Sequence, residues 1–186
     1  MSIHGYVRLN TFDSNHAFQR GRSNFIFYCW YLLKCILFLS CFPWPSSIKV
    51  LLLRYFGASI GDGVVIKPRV NIHFPWRISI GDNVWIGECV EIINFESVVI
   101  GSDVCLSQQV FVCTGDHDFR DTSFSYRNQP ITIEDGVWLQ SRVFVCPGSF
   151  IGSQSVITAC SVVKGKLPEN QVCSGSPCIP IYSRWR

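Results

Sequence analysis

Charge is scarce in this sequence, and neither sign dominates it. Sixteen Lys and Arg against 13 Asp and Glu leave a net charge of +3 over 186 residues, and the cations do not gather on one periodic face. A nucleic-acid-binding domain needs a basic stripe to meet the phosphate backbone, so no nucleic-acid partner is expected. Metal-ligand spacing is missing as well. Ten cysteines are present without a single CxxC pair, and Cys173 and Cys178 lack the companions of a zinc site, so no metal is expected. No cleavable signal sequence is read at the start either, because the stretch before Phe25 is polar. Cys89, Cys105, Cys113, Cys146 and Cys160 lie inside repeat blocks, where a small apolar side chain fits without bonding. The expectation is a cytoplasmic protein with free thiols.

What the sequence does hold is a repeat. A thirteen-residue phrase returns four times: IGDGVVIKPRVNI from Ile60, IGDNVWIGECVEI from Ile80, IGSDVCLSQQVFV from Ile100 and IEDGVWLQSRVFV from Ile133. Within the blocks an aliphatic residue recurs at every sixth position: Ile60, Ile66, Ile72, Ile80, Ile86, Ile92, Ile100, Leu106, Val112, Ile133, Leu139, Val145, Ile151, Ile157 and Val163. Four residues after these comes a small or branched residue, from Val64 and Val70 to Ser149, Ser155 and Ser161. Neither the 3.6-residue helix nor simple strand alternation produces a period of six. One short strand and one turn per hexad do, and three hexads close a triangular coil whose inward aliphatics stack on those of the next coil. Each such residue contributes about 1.5–3 kcal/mol on burial, against the entropy of ordering the backbone. Gly61-Asp62-Gly63, Gly81-Asp82-Asn83 and Gly101-Ser102-Asp103 supply the turns. The pattern predicts an all-β solenoid, a parallel β-helix of about five coils.

Spacing locates an interruption. The first three blocks begin at Ile60, Ile80 and Ile100, an interval of three hexads plus a short corner extension. Ile133 to Ile151 is three hexads with no extension. One hexad beyond Val112 falls on Asp118, yet the ladder resumes only at Ile133. Residues 113–130 therefore leave the coil as a polar loop, TGDHDFRDTSFSYRNQP after Cys113, carrying His117 between Asp116 and Asp118. Long loops thrown from a regular scaffold are usually functional or disordered.

The flanks divide the chain into three parts. Residues 1–56 are a polar N-terminus, with Gly21-Arg22-Ser23 as a helix start, followed by a hydrophobic helical segment. The run from Phe25 to Trp44 carries one charge, Lys34, and has the length of a membrane span. Three readings stand open: a transmembrane helix, a helix lying in a membrane interface, and two helices packed on the first coil or on a neighbouring subunit. Residues 57–167 are the solenoid, with corner extensions at Pro75-Trp76 and Asn94-Phe95-Glu96. Residues 168–186 form a turn-rich cap, which the open strand edges of a solenoid need.

The hexad ladder, the histidine-bearing loop and the tail VCSGSP resemble the hexapeptide-repeat acyltransferases. Within them the pattern is similar to the colanic acid biosynthesis acetyltransferases, in LLRYFGASIG, PW, IGDNVWIGECV, VCLSQ, CTGDHD and PITIEDGVW between Leu52 and Trp138. The resemblance implies a left-handed β-helix, although general crossover rules favour the other hand. It also implies a homotrimer, acetyl-CoA as acyl donor, and direct transfer to a hydroxyl of a sugar or lipid-linked saccharide in exopolysaccharide assembly. Residues 25–56 then offer peripheral membrane contact.

His117 matches the family's catalytic histidine. A sugar hydroxyl is a poor nucleophile until a base takes its proton, and imidazole suits that task; the residues alone leave a solvated loop histidine equally open. Asp116 or Asp118 is the candidate to orient the ring. His4, His16 and His73 stand outside any such constellation and read as structural or exposed. The resemblance lays acetyl-CoA along the C-terminal coils, on Trp138, Ser141, Ala159, Ser161, Gly175 and Ser176. Lys164, Lys166, Arg184 and Arg186 are the cations for its phosphates. Two departures stand out: Ile179 follows Pro177-Cys178 where the family carries Arg or Lys, and Thr158-Ala159-Cys160-Ser161 replaces Gly-Ala-x-Ser. Asn94 and Glu96 are candidates for the acceptor, with a structural Asn in a tight turn as the alternative. Competing readings are a non-catalytic β-helix scaffold and an acyl-Cys enzyme built on Cys113. A zinc carbonic anhydrase of this architecture needs three histidines, and only His73 and His117 lie in the solenoid.

Overall fold

At the first two corners each hexad folds as a strand of two or three residues followed by a turn with one residue in the left-handed region. At the first corner these are Gly63, Asn83, Asp103, Gly136, Gln154 and Asn170, and at the second Arg69, Cys89, Gln109, Arg142 and Cys160. For a residue with a Cβ this conformation costs about 1–2 kcal/mol, and hydrogen bonds between coils offset it. The Asn83 amide donates to the Asp62 carbonyl at 2.7 Å, and the Asp103 amide to that of Asp82 at 2.8 Å. Side chains add a second ladder, in which Asp82 accepts from the Asp62 amide and Asp135 from that of Ser102, at 2.8 and 2.7 Å. Such close stacking is why glycine opens the phrase. A Cβ on Gly81 would lie 2.6 Å from the Ser102 nitrogen.

A computed structural model describes residues 6–7, 9–12 and 18–185. His4, His16 and Arg186 lie outside the described residues. Three parallel sheets of six, seven and five strands wind around one core. In the first sheet Ile60, Ile80, Ile100, Ile133, Ile151 and Leu167 stack in register. The second column runs Ile66, Ile86, Leu106, Leu139, Ile157 and Cys173. The third runs Ile72, Ile92, Val112, Val145 and Val163. Every hexad aliphatic named from the sequence is buried, and so are its small partners. Buried Ser149, Ser155 and Ser161 are each hydrogen-bonded, to Val163 O, to Pro168 O and to the Gly175 amide.

The coil count differs slightly from expectation. Five coils are complete, and Lys166–Leu167 with Gln171–Gly175 adds two sides of a sixth. There Ile151 pairs with Leu167 and Ile157 with Cys173. Each step falls two positions short of three hexads, so the last coil lies outside the hexad period. Cys178–Ser183 then folds back antiparallel and closes the second sheet.

At the other end two helices cover the first coil: α1 (Asn24–Leu37), with the Ser23 hydroxyl capping the Ile26 amide, and α2 (Ser46–Tyr55). At about 1.5 Å per residue α1 reaches about 21 Å, short of the roughly 30 Å hydrocarbon core. Among the described residues no helix is long and apolar enough to cross a membrane, which overturns the transmembrane reading. The run from Phe25 to Trp44 is broken near Phe38, whose amide already closes the last turn on Lys34 O.

The helices do more than cover apolar surface. A first coil has no coil beneath it, so its downward carbonyls have no ladder partner. Helix side chains meet every sheet, with Ser46 Oγ taking the Ile66 amide at 3.0 Å. Arg54 donates to Ile60 O and Gly61 O, buried Lys49 donates to Ile66 O and Lys67 O at 3.1 and 3.0 Å, and the Trp30 indole donates to Ile72 O and His73 O. Replacing Lys49 with methionine keeps the bulk and removes the donor. The expected loss is about 1–3 kcal/mol, the penalty for buried unpaired carbonyls, read as a lower urea midpoint at unchanged m-value.

Candidate functional site

The loop that leaves the third sheet after Cys113 is a short antiparallel hairpin. The Gln129 amide donates to Thr114 O, that of Arg127 to Asp116 O, and that of Asp118 to Ser125 O, and His117 pairs across to Tyr126. Alternate residues along an extended segment face opposite sides. His117 therefore points one way while Asp116 and Asp118 point the other. The carboxylates do not orient the imidazole, contrary to expectation. Asp116 accepts from Arg127 Nε and Nη2 at 3.0 and 2.6 Å, and that guanidinium holds its pKa below the usual range. Asp118 accepts the Arg120 amide in the turn.

What fixes the ring is a carbonyl. His117 Nδ1 lies 2.7 Å from Phe124 O. A carbonyl only accepts, so Nδ1 carries the proton and Nε2 keeps its lone pair. Aromatic rings clamp the plane: Phe124 stacks at 4.1 Å, Tyr126 packs at 4.8 Å and Phe12 meets it edge-on at 5.3 Å. The half-buried ring thus presents Nε2 as a base in a fixed direction. Cys113, at the foot of the loop, lacks such activation. Burial raises its thiol pKa, and its Sγ lies 3.5 Å from Gly115 O, so the acyl-Cys reading loses its nucleophile.

The remaining candidates separate. Asn94 is fully buried, its Oδ1 accepting from Phe74 N at 2.9 Å and its Nδ2 donating to Phe74 O at 2.7 Å. It ties down the corner extension of the coil below and is not available to an acceptor. Glu96 is partly exposed, 3.9 Å from Arg77. Ser161 is buried inside the coil, with its hydroxyl taking the Gly175 amide, so no ligand reaches it. Arg184 is no mobile cation either: Nη1 donates to Gly136 O and Gln154 O, both at 2.9 Å, pinning the C-terminal strand onto the first corner. Ser141, Ala159, Gly175 and Ser176 come together at the second corner on successive coils. Trp138 stands beside them on the second sheet, half-exposed, its indole donating to Ser107 Oγ at 3.0 Å. Lys164 and Lys166 flank Gly165 at the third corner, exposed and without an ion-pair partner among the described residues.

Tyr126, which packs on His117, also lines a cavity of about 710 Å³, walled besides by Phe18, Gln19, Arg20, Arg22, Asn24, Phe27, Tyr28, His73, Phe74 and Phe95. The His73 imidazole is pushed down to about 4, by burial first and then by the positive charge of Lys34 and Arg20. Sequence reasoning missed this wall. Gly21-Arg22-Ser23 reads as a helix start, which it is, and nothing in the hexad pattern links residues 18–28 to a loop about ninety positions later. A histidine two positions before Pro75 was the one available hint.

No protein-family model matches the chain. Over 147 residues it is 40% identical to a protein of Escherichia coli K12 named colanic acid biosynthesis acetyltransferase WcaF, spanning 77% of this chain and 81% of that one. The chain belongs to this hexapeptide-repeat acetyltransferase family. Two solved acetyltransferases share its architecture. One, a hexapeptide-repeat acetyltransferase of Vibrio cholerae complexed with acetyl coenzyme A, superposes with a TM-score of 0.77 at 25% identity over 85% of this chain and 86% of that one. The other, a galactoside acetyltransferase in complex with coenzyme A, gives 0.76 at 26% identity over 85% and 80%. The fold is therefore the left-handed parallel β-helix of these acetyltransferases, and the reading as a non-catalytic scaffold is dropped.

Proposed function

We propose that this acetyltransferase carries the acetyl group of acetyl-CoA to a hydroxyl of a sugar or saccharide intermediate in exopolysaccharide assembly, with His117 as general base. The observation that carries the reading is the His117 ring, held as the Nδ1–H tautomer by Phe124 O and packed on Tyr126, which also lines a large cavity. Nε2 takes the hydroxyl proton while the oxygen attacks the thioester carbonyl. The tetrahedral intermediate collapses, the C–S bond breaks, and the proton on Nε2 passes to the departing CoA sulfur. The Phe124 carbonyl and the π faces of Phe124 and Tyr126 stabilise the transient imidazolium. The donor fits the second corner, where Ala159, Gly175 and Ser176 leave the backbone open to pantetheine, and Lys164 and Lys166, at the third corner, meet its phosphates from a neighbouring chain. The test is acetyl-CoA consumption against a panel of free saccharides, nucleotide sugars and lipid-linked saccharides. Consumption that depends on a saccharide supports the reading, and none with any of them contradicts it.

In one chain the second corner and the His117 loop, which leaves at the third, lie on different edges of a triangular prism. Donor and base meet only if a neighbouring coil brings its own second corner to this loop, so a homotrimer is expected. Sedimentation equilibrium at micromolar concentration should show about three times the 21.1 kDa chain mass; a purely monomeric species would contradict this.

Peripheral membrane contact is the second expectation. Phe25, Tyr28 and Leu32 on α1, Leu51 on α2 and Phe42 in the connection between them are exposed. Aromatic and aliphatic side chains with nearby cations suit an interface. On fractionation the protein should sediment with membranes and be released by a carbonate wash. Recovery wholly in the unwashed supernatant would contradict it.

A further inference from the structure

We propose that the cavity beside His117 binds the diphosphate of a glycosyl diphosphate, so that the acceptor is a sugar still attached to its activating or carrier group. This rests on the acetyl-transfer reading for the identity of the sugar, but the diphosphate site stands on the cavity itself. Among the described residues the lining contains Arg20, Arg22 and His73 and no carboxylate. The three ion pairs among the described residues are Arg54–Asp62, Arg77–Glu96 and Arg127–Asp116, and none of them draws on Arg20 or Arg22. Arg20 is steered instead by Asn24 Oδ1 at 2.9 Å and by the Phe27 ring at 4.9 Å. In a chain whose charges nearly balance, a concave surface lined by one sign focuses a field for the other.

Neighbouring groups reinforce the sign. Lys34, buried behind the wall, has its own pKa lowered by burial, and its charge and that of Arg20 add to the burial that keeps His73 neutral; Glu91 is the carboxylate that acts on Lys34, and it is not in the described lining. Asn24, the first residue of α1, also lines the cavity, so the positive end of a helix dipole adds to the field. Guanidinium pairs recognise phosphate oxygens in a bidentate fork.

Size and direction agree. A pocket of about 300–1,000 Å³ takes a drug-sized ligand, more than one monosaccharide fills. Phe95 and Tyr126, both partly exposed, offer ring faces to a sugar, and Tyr126 packs on His117. Tyr28, also in the lining, is exposed on α1 together with Phe25 and Leu32. A diphosphate at Arg20 and Arg22 would thus lie between a sugar at the base and a carrier directed outward.

Binding tests this without turnover. The full chain is titrated with inorganic pyrophosphate, UDP-glucose and a short-chain prenyl-diphosphate glucose, under saturating CoA so that the donor's own diphosphate site is filled. The wild type should bind the glycosyl diphosphates, and R20A/R22A should weaken them about 10-fold or more per arginine, with an unchanged circular dichroism spectrum. R20K/R22K, which keeps charge and bulk, should recover part of the loss. Tighter binding of UDP-glucose assigns a nucleotide sugar, and tighter binding of the prenyl conjugate a lipid carrier. Equal affinity of wild type and both variants overturns the proposal. Arginine-dependent binding without acetylated product would instead support the site and count against acetyl transfer.

Discussion

Replacing His117 with alanine is expected to lower acetyl transfer about 10²–10⁴-fold, the range that general-base assistance contributes. The variant keeps the acceptor cavity and the donor corner, so kcat should fall while the KM values change little. Fold and assembly should survive, because the hairpin is held by backbone bonds such as Arg127 N to Asp116 O and stands outside the stacked columns. Thiol release monitored with saturating acetyl-CoA, beside a far-UV spectrum, checks both halves. Full kcat in a folded variant would remove His117 from the chemistry.

Replacing Ile86 with aspartate is expected to abolish soluble protein. Ile86 is fully buried in the second column between Ile66 and Leu106. An ionised carboxylate there has no cation or water to meet it, and its effective desolvation penalty is several kcal/mol. A single domain has only about 5–15 kcal/mol of total stability, and the loss of an aliphatic contact adds to the deficit. Ile86→Val, which removes one methylene, should cost only about 0.5–1.5 kcal/mol and stay soluble. Soluble Ile86→Asp with an unchanged spectrum would mean that the column is misassigned.

How far these features were legible depends on the range of the interaction behind them. The columns were fully legible, because each coil repeats the same local requirement: Ile80, Ile86 and Ile92 announce one coil by themselves. The sixth coil was not, since its shortened steps to Leu167 and Cys173 abandon the hexad. His117 stood out because its loop breaks the period. Its partner did not, because Phe124 contributes a backbone carbonyl, and any residue type has one. Acidic neighbours drew the orienting role to Asp116 and Asp118, yet strand alternation turns both away from the ring. Asn94 and Ser161 misled in a similar manner. Polar side chains in corners look available, but each satisfies a buried backbone group, Phe74 and Gly175 in turn. The arginine wall joins the chain's first helix to its loop, a tertiary contact with no sequence period at all.

The central claim is that a sugar oxygen receives the acetyl group with His117 Nε2 as its base. The most direct measurement is mass spectrometry of the acceptor after incubation with deuterium-labelled acetyl-CoA, comparing wild type and His117→Ala. The account predicts one labelled, base-labile ester per acceptor, formed in step with CoA release and nearly absent with the variant. Labelled acetate without acetylated saccharide, or equal ester formation by the variant, would contradict it.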